Sequence, residues 1–298
     1  MKEQGHRIVF VTGKGGVGKS IVAAATAMQM ARAGGDVLLV EFGSRSFYGS
    51  LFGLPVDQAA AGEAVHWQPR IDISRWDAES ALREYLTHYL VFKSASNRIL
   101  GATAMKALMA VAPGLSELAV LGKLTAPMRH RWYQRDAAVV VVDGYATGQF
   151  MSLLRAPRGL AATAGSGPLH NQAKAITNLL CDPAICEYRL VTLAEEIPVA
   201  EACEMAADLR AETGIAPTIF CNRLLDLPSR LPAVPAGTPA ASFLEDLARI
   251  SRRQKRGLTQ LTAVGKKLEG AVRRLPMIPN MHPRHLVEQL ADALEAAT

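Results

Sequence analysis

The sequence predicts an α/β chain: a doubly wound, mostly parallel sheet with an inserted helical subdomain. Three observations predict it. Ile8-Val9-Phe10-Val11-Thr12 is an apolar, β-branched run, followed by a glycine-rich turn and the Ala- and Met-rich stretch Ile21 to Ala33, which reads as a helix. Asp36 to Glu41 follows as a second strand of the buried parallel kind, completing a βαβ unit. After a long helical stretch, Ala137 to Val142 resumes the sheet with four valines that end on Asp143.

The remaining elements follow in order. Ala59 to Val65 reads as a loop and Ile71-Asp72-Ile73 as a short strand. Ala78 to Arg131 is mostly helical, with breaks near Ser94-Asn97, Pro113-Gly114 and Pro127. Residues 59–132 are therefore expected as a helical insertion within one domain spanning 1–298. Strands are expected at Tyr188 to Leu193 and Thr218 to Cys221, with a helix from Val199 to Thr213 between them. Pro228, Pro232, Pro235 and Pro239 punctuate a loop. Apolar residues from Phe243 to Val272 recur at helical spacing, so residues 225–274 are expected as a loop plus a basic helix. Leu275 to Ile278 fits a short last strand, and Pro283 can open a final helix.

The 298 residues allow one large domain with an insertion. Hydrophobic residues make up 49% and aromatics 6%, so the core is expected to be aliphatic and Ala-rich. No stretch approaches the ~20 uncharged apolar residues of a membrane span. Met1 to Arg7 is charged and leads straight into a strand, so no signal peptide and a cytoplasmic location are expected. Cys181, Cys186, Cys203 and Cys221 form no CxxC pair, so they read as small buried hydrophobes rather than zinc ligands or disulfides.

The chemistry sits in the turn. Gly13, Lys14, Gly15, Gly16, Val17, Gly18, Lys19 and Ser20 match the phosphate-loop pattern G-x-x-x-x-G-K-[ST] between a strand and a helix. Glycines let backbone N–H groups converge on phosphate oxygens, and the helix N-terminus adds a favourable dipole. Lys19 can reach the β- and γ-phosphates, and Ser20 can offer a hydroxyl to Mg²⁺. Ile21 opens the helix behind them. Asp143 leaves the carboxyl end of a buried strand, the edge where ligands of such sheets bind, and is expected to share the Mg²⁺ shell with Ser20. ATP or ADP with Mg²⁺ is the cofactor these residues imply.

Lys14 is not required by an ordinary phosphate loop. Lys-Gly-Gly-Val-Gly-Lys-Ser resembles the deviant Walker A loop of P-loop NTPases of the SIMIBI type, the group that includes ArsA, MinD and ParA. The resemblance sharpens toward the ArsA family in Pro113-Gly114-Leu115-Ser116-Glu117, in Asp143 to Gln149, in Val191-Thr192-Leu193-Ala194-Glu195-Glu196-Ile197-Pro198-Val199, in Asn222-Arg223 and in Leu275-Pro276. It implies an ATPase, a nucleotide-sandwich dimer in which Lys14 reaches the partner's nucleotide, and Asn222 and Pro276 at the base. By the same resemblance Lys14, Lys19 and Asp143 are the catalytic set. The chain is most similar to paired bacterial paralogues, so a homodimer or a heterodimer with a paralogous ATPase is expected, together with a client protein of unknown identity.

Two departures from the family pattern bear on hydrolysis. Gly43 stands where members carry the switch I Asp that orients the attacking water. Switch II, usually D-T-A-P-T-G-H, is Asp143-Gly144-Tyr145-Ala146-Thr147-Gly148-Gln149. Glu41 is the nearest carboxylate, with the wrong expected reach. Losing a positioned group costs roughly 10²–10⁴-fold in rate, so weak or partner-assisted hydrolysis is expected with binding retained.

The helical insertion is where family members bind arsenite or a client helix. No cysteine lies between residues 1 and 180, which disfavours arsenite capture. Met105, Leu108, Met109, Leu115, Leu118, Leu121 and Met128 could line a client groove, but read more simply as core. Arg249, Arg252, Arg253, Lys255 and Arg256 with Lys266, Lys267, Arg273 and Arg274 account for much of the net charge of +6. They read as a solvated helix face; nucleic acid is a disfavoured partner, with no aromatics nearby for base stacking. The competing readings are a positioning ATPase like ParA or MinD, binding DNA or a surface, and a non-catalytic subunit of a heterodimeric ATPase.

Overall fold

The computed structural model describes residues 6–60, 62–89, 114–129, 137–228, 232, 234–235, 237–279 and 282–296. Eight strands form one sheet among them: β1 (Arg7–Thr12), β2 (Val37–Phe42), β3 (Ala64–Gln68), β4 (Ile71–Trp76), β5 (Val139–Asp143), β6 (Cys186–Leu193), β7 (Thr218–Leu224) and β8 (Val272–Pro276). Their order is β3-β4-β2-β5-β1-β6-β7-β8. The edge strand β3 pairs antiparallel with β4, and the other pairings are parallel.

Strand residues alternate between two cores because successive side chains face opposite sides of the sheet. Phe10, Leu38, Val40, Val142 and Leu190 belong to one core. Val9, Val11, Leu39, Val141 and Val191 belong to the other. Both faces are covered, which is why these strands read as unbroken apolar runs. Helices α1 (Lys19–Arg32), α2 (Phe47–Phe52) and α9 (Pro283–Ala296) pack on the second core. Helices α3 (Ala78–Tyr89), α4 (Leu115–Arg129), α5 (Thr147–Ala164), α6 (Pro168–Leu180), α7 (Glu196–Thr213) and α8 (Pro239–Lys267) cover the first. Helix α9 buries Val287, Leu290 and Leu294 against α1, and Arg32 reaches Asp292 at 2.7 Å.

Several expectations need correction. Residues 64–68, within the expected loop and insertion, form the sheet strand β3. Its alternation is carried only by Val65 and Trp67 among polar neighbours, too short a signal to read. Pro127 does not break its helix: it lies inside α4, which continues past it to Arg129 at the loss of one i→i−4 hydrogen bond, the one to the Lys123 carbonyl. Helix α8 stops at Lys267, and Val272 is a strand residue instead. Helices α5 and α6 had no sequence counterpart.

Of the apolar set in the insertion, Leu118 and Leu121 are fully buried, and Leu115 and Met128 pack against the same core. Met105, Leu108 and Met109 lie outside the described residues, as do the breaks near 94–97 and Pro113. The basic side chains of α8 from Arg249 to Arg256 are exposed. Cys186 and Cys221 are buried, and burial pushes each thiol up to about 12, whereas Cys181 and Cys203 are half-buried. Among the described residues no helix is long and apolar enough to cross a membrane.

Candidate phosphate-binding site

From β1 the chain continues outward to β2, β4 and β3 on one side, and to β6, β7 and β8 on the other. This reversal makes the carboxyl end of β1 a topological switch point, where α/β sheets open a crevice for ligands. Residues 13–20 leave the sheet there.

Two glycines of the loop are required by their neighbours. Gly13 has φ +146°, and a Cβ on it would collide with the Val191 carbonyl of β6. Gly18 has φ +95°, and a Cβ would lie 2.5 Å from the Asn222 side-chain nitrogen. Asn222, buried at the end of β7, donates from Nδ2 to the Val17 carbonyl at 2.9 Å. Its Oδ1 accepts from the Arg223 N–H at 2.9 Å. Asn222 thus braces the loop from the neighbouring strands. Gly15 and Gly16 are exposed at the loop tip, Val17 is buried, and Ile21 packs against the second core. Gly18 caps α1 without a side-chain bond, and no acidic residue lies in the first turn. The first helical N–H groups therefore have no side-chain acceptor of their own, as an anion cradle requires.

Lys19 turns into the loop and donates to the Lys14 carbonyl at 3.1 Å. Burial lowers its pKa, while the charge of Asp143 opposes that shift. Asp143 stands at the end of β5, in register with Val11 of β1 and Glu41 of β2. Its carboxylate accepts from the Ser20 hydroxyl and from Tyr48, whose hydroxyl lies 3.1 Å away. Burial still raises the Asp143 pKa, against those two hydrogen bonds and the Lys19 charge. Lys19, Ser20 and Asp143 are thus brought together.

Glu41 is engaged elsewhere. Both its oxygens hold the start of α2, one accepting from the Ser46 hydroxyl and the other from the Phe47 N–H at 2.8 Å. Burial raises its pKa as well. Gly43 follows β2 with no side chain to offer; its N–H donates to the Trp76 carbonyl at 3.0 Å. In switch II, the Thr12 hydroxyl donates to the Tyr145 carbonyl at 2.9 Å, and the Tyr145 ring stacks on Phe42 at 5.1 Å.

Two predicted residues lie apart from this cluster. Lys14 points to α7 of its own chain, with its ammonium 2.5 Å from Glu201 Oε1. Pro276 sits at the exposed end of β8, opposite Leu224, where both line a cavity of about 360 Å³ with Lys255 and Arg274. Tyr48 and Glu201 were not anticipated. The i, i+4 pair Tyr48 and Phe52 marks an inward helix face, but nothing in the sequence says what the hydroxyl meets.

A phosphate loop at the switch point, with a serine and a carboxylate joined behind it, is the arrangement of a nucleoside-triphosphatase fold. Residues 6–165 match the model of the anion-transporting ATPase family, and this chain belongs to that family, the ArsA ATPases. It is 32% identical over 212 residues to ATPase BagA of Mycobacterium tuberculosis, an alignment covering 69% of this chain and 61% of BagA. It is 30% identical over 221 residues to the arsenical pump-driving ATPase of Escherichia coli, covering 71% of this chain and 33% of that protein. The chain thus spans about three fifths of the length of its mycobacterial relatives.

Proposed function

We propose that this chain is an ATP-binding switch whose nucleotide state governs its contact with a partner or client protein. The observation that carries the reading is the joined set of Lys19, Ser20 and Asp143 beneath a glycine loop at the switch point of the sheet. Backbone N–H groups of residues 13–21 would receive the phosphates, with Lys19 on the terminal ones. Ser20 and Asp143 would hold Mg²⁺. They fit it: both are hard oxygen donors, already adjacent, and the Asp143 carboxylate is buried enough to favour a cation beside it. When bound, Mg²⁺ neutralises phosphate charge. Asn222 and Pro276 would flank the base, and Lys14 would reach the nucleotide of a second subunit, identical or paralogous. A cytoplasmic location suits such a switch.

Hydrolysis by the isolated chain is slow in this reading. Gly43 offers no group to orient water, and Glu41 is committed to α2. Calorimetry should detect uptake of ATP and ADP, strengthened by Mg²⁺. Turnover should stay below the ordinary ~1 s⁻¹ for the chain alone and rise with its paralogue. No nucleotide uptake by folded protein would overturn the binding reading; fast turnover alone would overturn the weak-hydrolysis reading.

The Lys14–Glu201 pair favours a second reading, a subunit whose nucleotide is structural and whose association ignores it. Dimerisation that is nucleotide-independent and unchanged in Lys14→Ala would select that reading.

A further inference from the structure

Tyr48 is fully buried, although the only polar atom of its side chain is the hydroxyl. That hydroxyl lies 2.8 Å from the Ser20 carbonyl oxygen and 3.1 Å from Asp143 Oδ2. It therefore touches the two residues to which Mg²⁺ is assigned above, from a helix that belongs to neither the loop nor β5. A phenol has one hydrogen to donate, and a backbone carbonyl can only accept. The hydroxyl is thus shared by two acceptors, and a carboxylate is the stronger.

Helix α2 is fixed for this task at the end that carries Tyr48. Glu41 receives the Ser46 hydroxyl and the Phe47 N–H, so the residue just before Tyr48 is pinned to β2. The Tyr48 ring stacks on Phe52 at 6.0 Å, and Phe52 stacks on Trp67 of β3 at 4.4 Å. A buried ring clamped between a pinned turn and an aromatic stack presents its hydroxyl in one place. A donor held in this way orients the carboxylate before any cation arrives.

We propose that Tyr48 is a positioning residue of the magnesium–nucleotide site: its hydroxyl sets the Asp143 carboxylate against the Ser20 turn, so that the metal meets a preformed pair. This rests on the nucleotide reading given above. The role is narrow. It concerns the gain in nucleotide affinity that Mg²⁺ confers, not the hold of the loop on the phosphates.

Tyr48→Phe tests it, because the ring and its stacking stay and only the hydroxyl goes. ADP affinity is measured by calorimetry on the full chain, once with Mg²⁺ and once with a chelator. The chelator value should match wild type within about twofold. The Mg²⁺ enhancement should fall about tenfold, the usual worth of one hydrogen bond to a charged group. An enhancement that is unchanged or larger, or an equal loss under both conditions, overturns the proposal. Wild type that fails to bind ADP at all overturns the nucleotide reading itself, and Tyr48's role with it, so the two failures are distinct.

A second measurement stands should that variant fail to fold. With 3-fluorotyrosine placed at position 48, which keeps the hydroxyl, the fluorine resonance of ADP-loaded protein should move when Mg²⁺ is added. A resonance that moves on ADP addition but not on Mg²⁺ addition refutes the assignment.

Discussion

Two segments leave the carboxyl edge of the sheet near the switch point, and they are built from different materials. The loop after β1 is a backbone device. Its shape follows from glycines at Gly13 and Gly18, and what it presents at the sheet edge is backbone N–H groups. The segment after β2, from Glu41 to Phe52, is a side-chain device. Its position follows from a carboxylate capping a turn, a phenol between two acceptors and a stack of rings. The first kind is written in a short contiguous motif. The second depends on partners brought together only by the fold. Mutation should separate them, because backbone devices fail sterically and side-chain devices fail electrostatically.

The largest effect is expected from Gly13→Ala. The new Cβ meets the Val191 carbonyl, which is fixed inside the sheet by pairing with β7. A non-glycine residue at φ +146° adds backbone strain to the clash. Together these cost roughly 2–5 kcal/mol. Urea unfolding should show the lost stability, and ADP binding should be lost even with Mg²⁺. Near-normal stability would mean that the loop relaxes as an ordinary turn, and the contrast between the two segments would weaken.

The same contrast explains what could be read in advance. The strands β1, β2 and β5 are doubly buried runs, so composition alone marked them, and the loop motif marked the switch point. Helix α5 is hard to read because Gly148, Pro157 and Gly159 punctuate a segment that is nonetheless helical in its packed setting, whereas α6 carries none of these breaks and opens on Pro168, a legible start. The contacts of the site were less legible still. Tyr48 and Asp143 are 95 residues apart, and Lys14 and Glu201 are 187 apart. No local pattern encodes such pairs. The motif marked Lys19 and Ser20, and the end of the valine run marked Asp143, but neither gave a hint that Lys14 would find an acceptor within its own chain.

An intermediate effect is expected at Asp143, on the border of the two devices. Its folded pKa lies above the unfolded value, chiefly through burial. The ionised carboxylate therefore costs stability at pH values above the folded pKa, and the cost vanishes below the unfolded one. Without metal or nucleotide, Asp143→Asn should melt at a higher temperature than wild type at pH 8, with the gap closing as pH falls toward 4. With Mg²⁺ and ATP the order should reverse, because ligand binding stabilises only the protein that holds it. A variant less stable under both conditions would make Asp143 a structural residue first.

The smallest effect concerns Lys14. Its pair with Glu201 is partly exposed, 43% and 36% by side chain, so by itself it is worth no more than about 0–1 kcal/mol. Helix α7 nevertheless holds the ammonium that a second subunit's nucleotide would need, and the pair must open before Lys14 can reach outward. Glu201→Gln removes the charge and keeps the shape. Association measured by sedimentation with ATP and Mg²⁺ should strengthen by up to about fivefold. The melting temperature should hardly move, because the pair contributes so little to the fold. A weaker association would instead place Glu201 among the groups that a partner contacts, and the side-chain device would extend across the interface rather than restrain it.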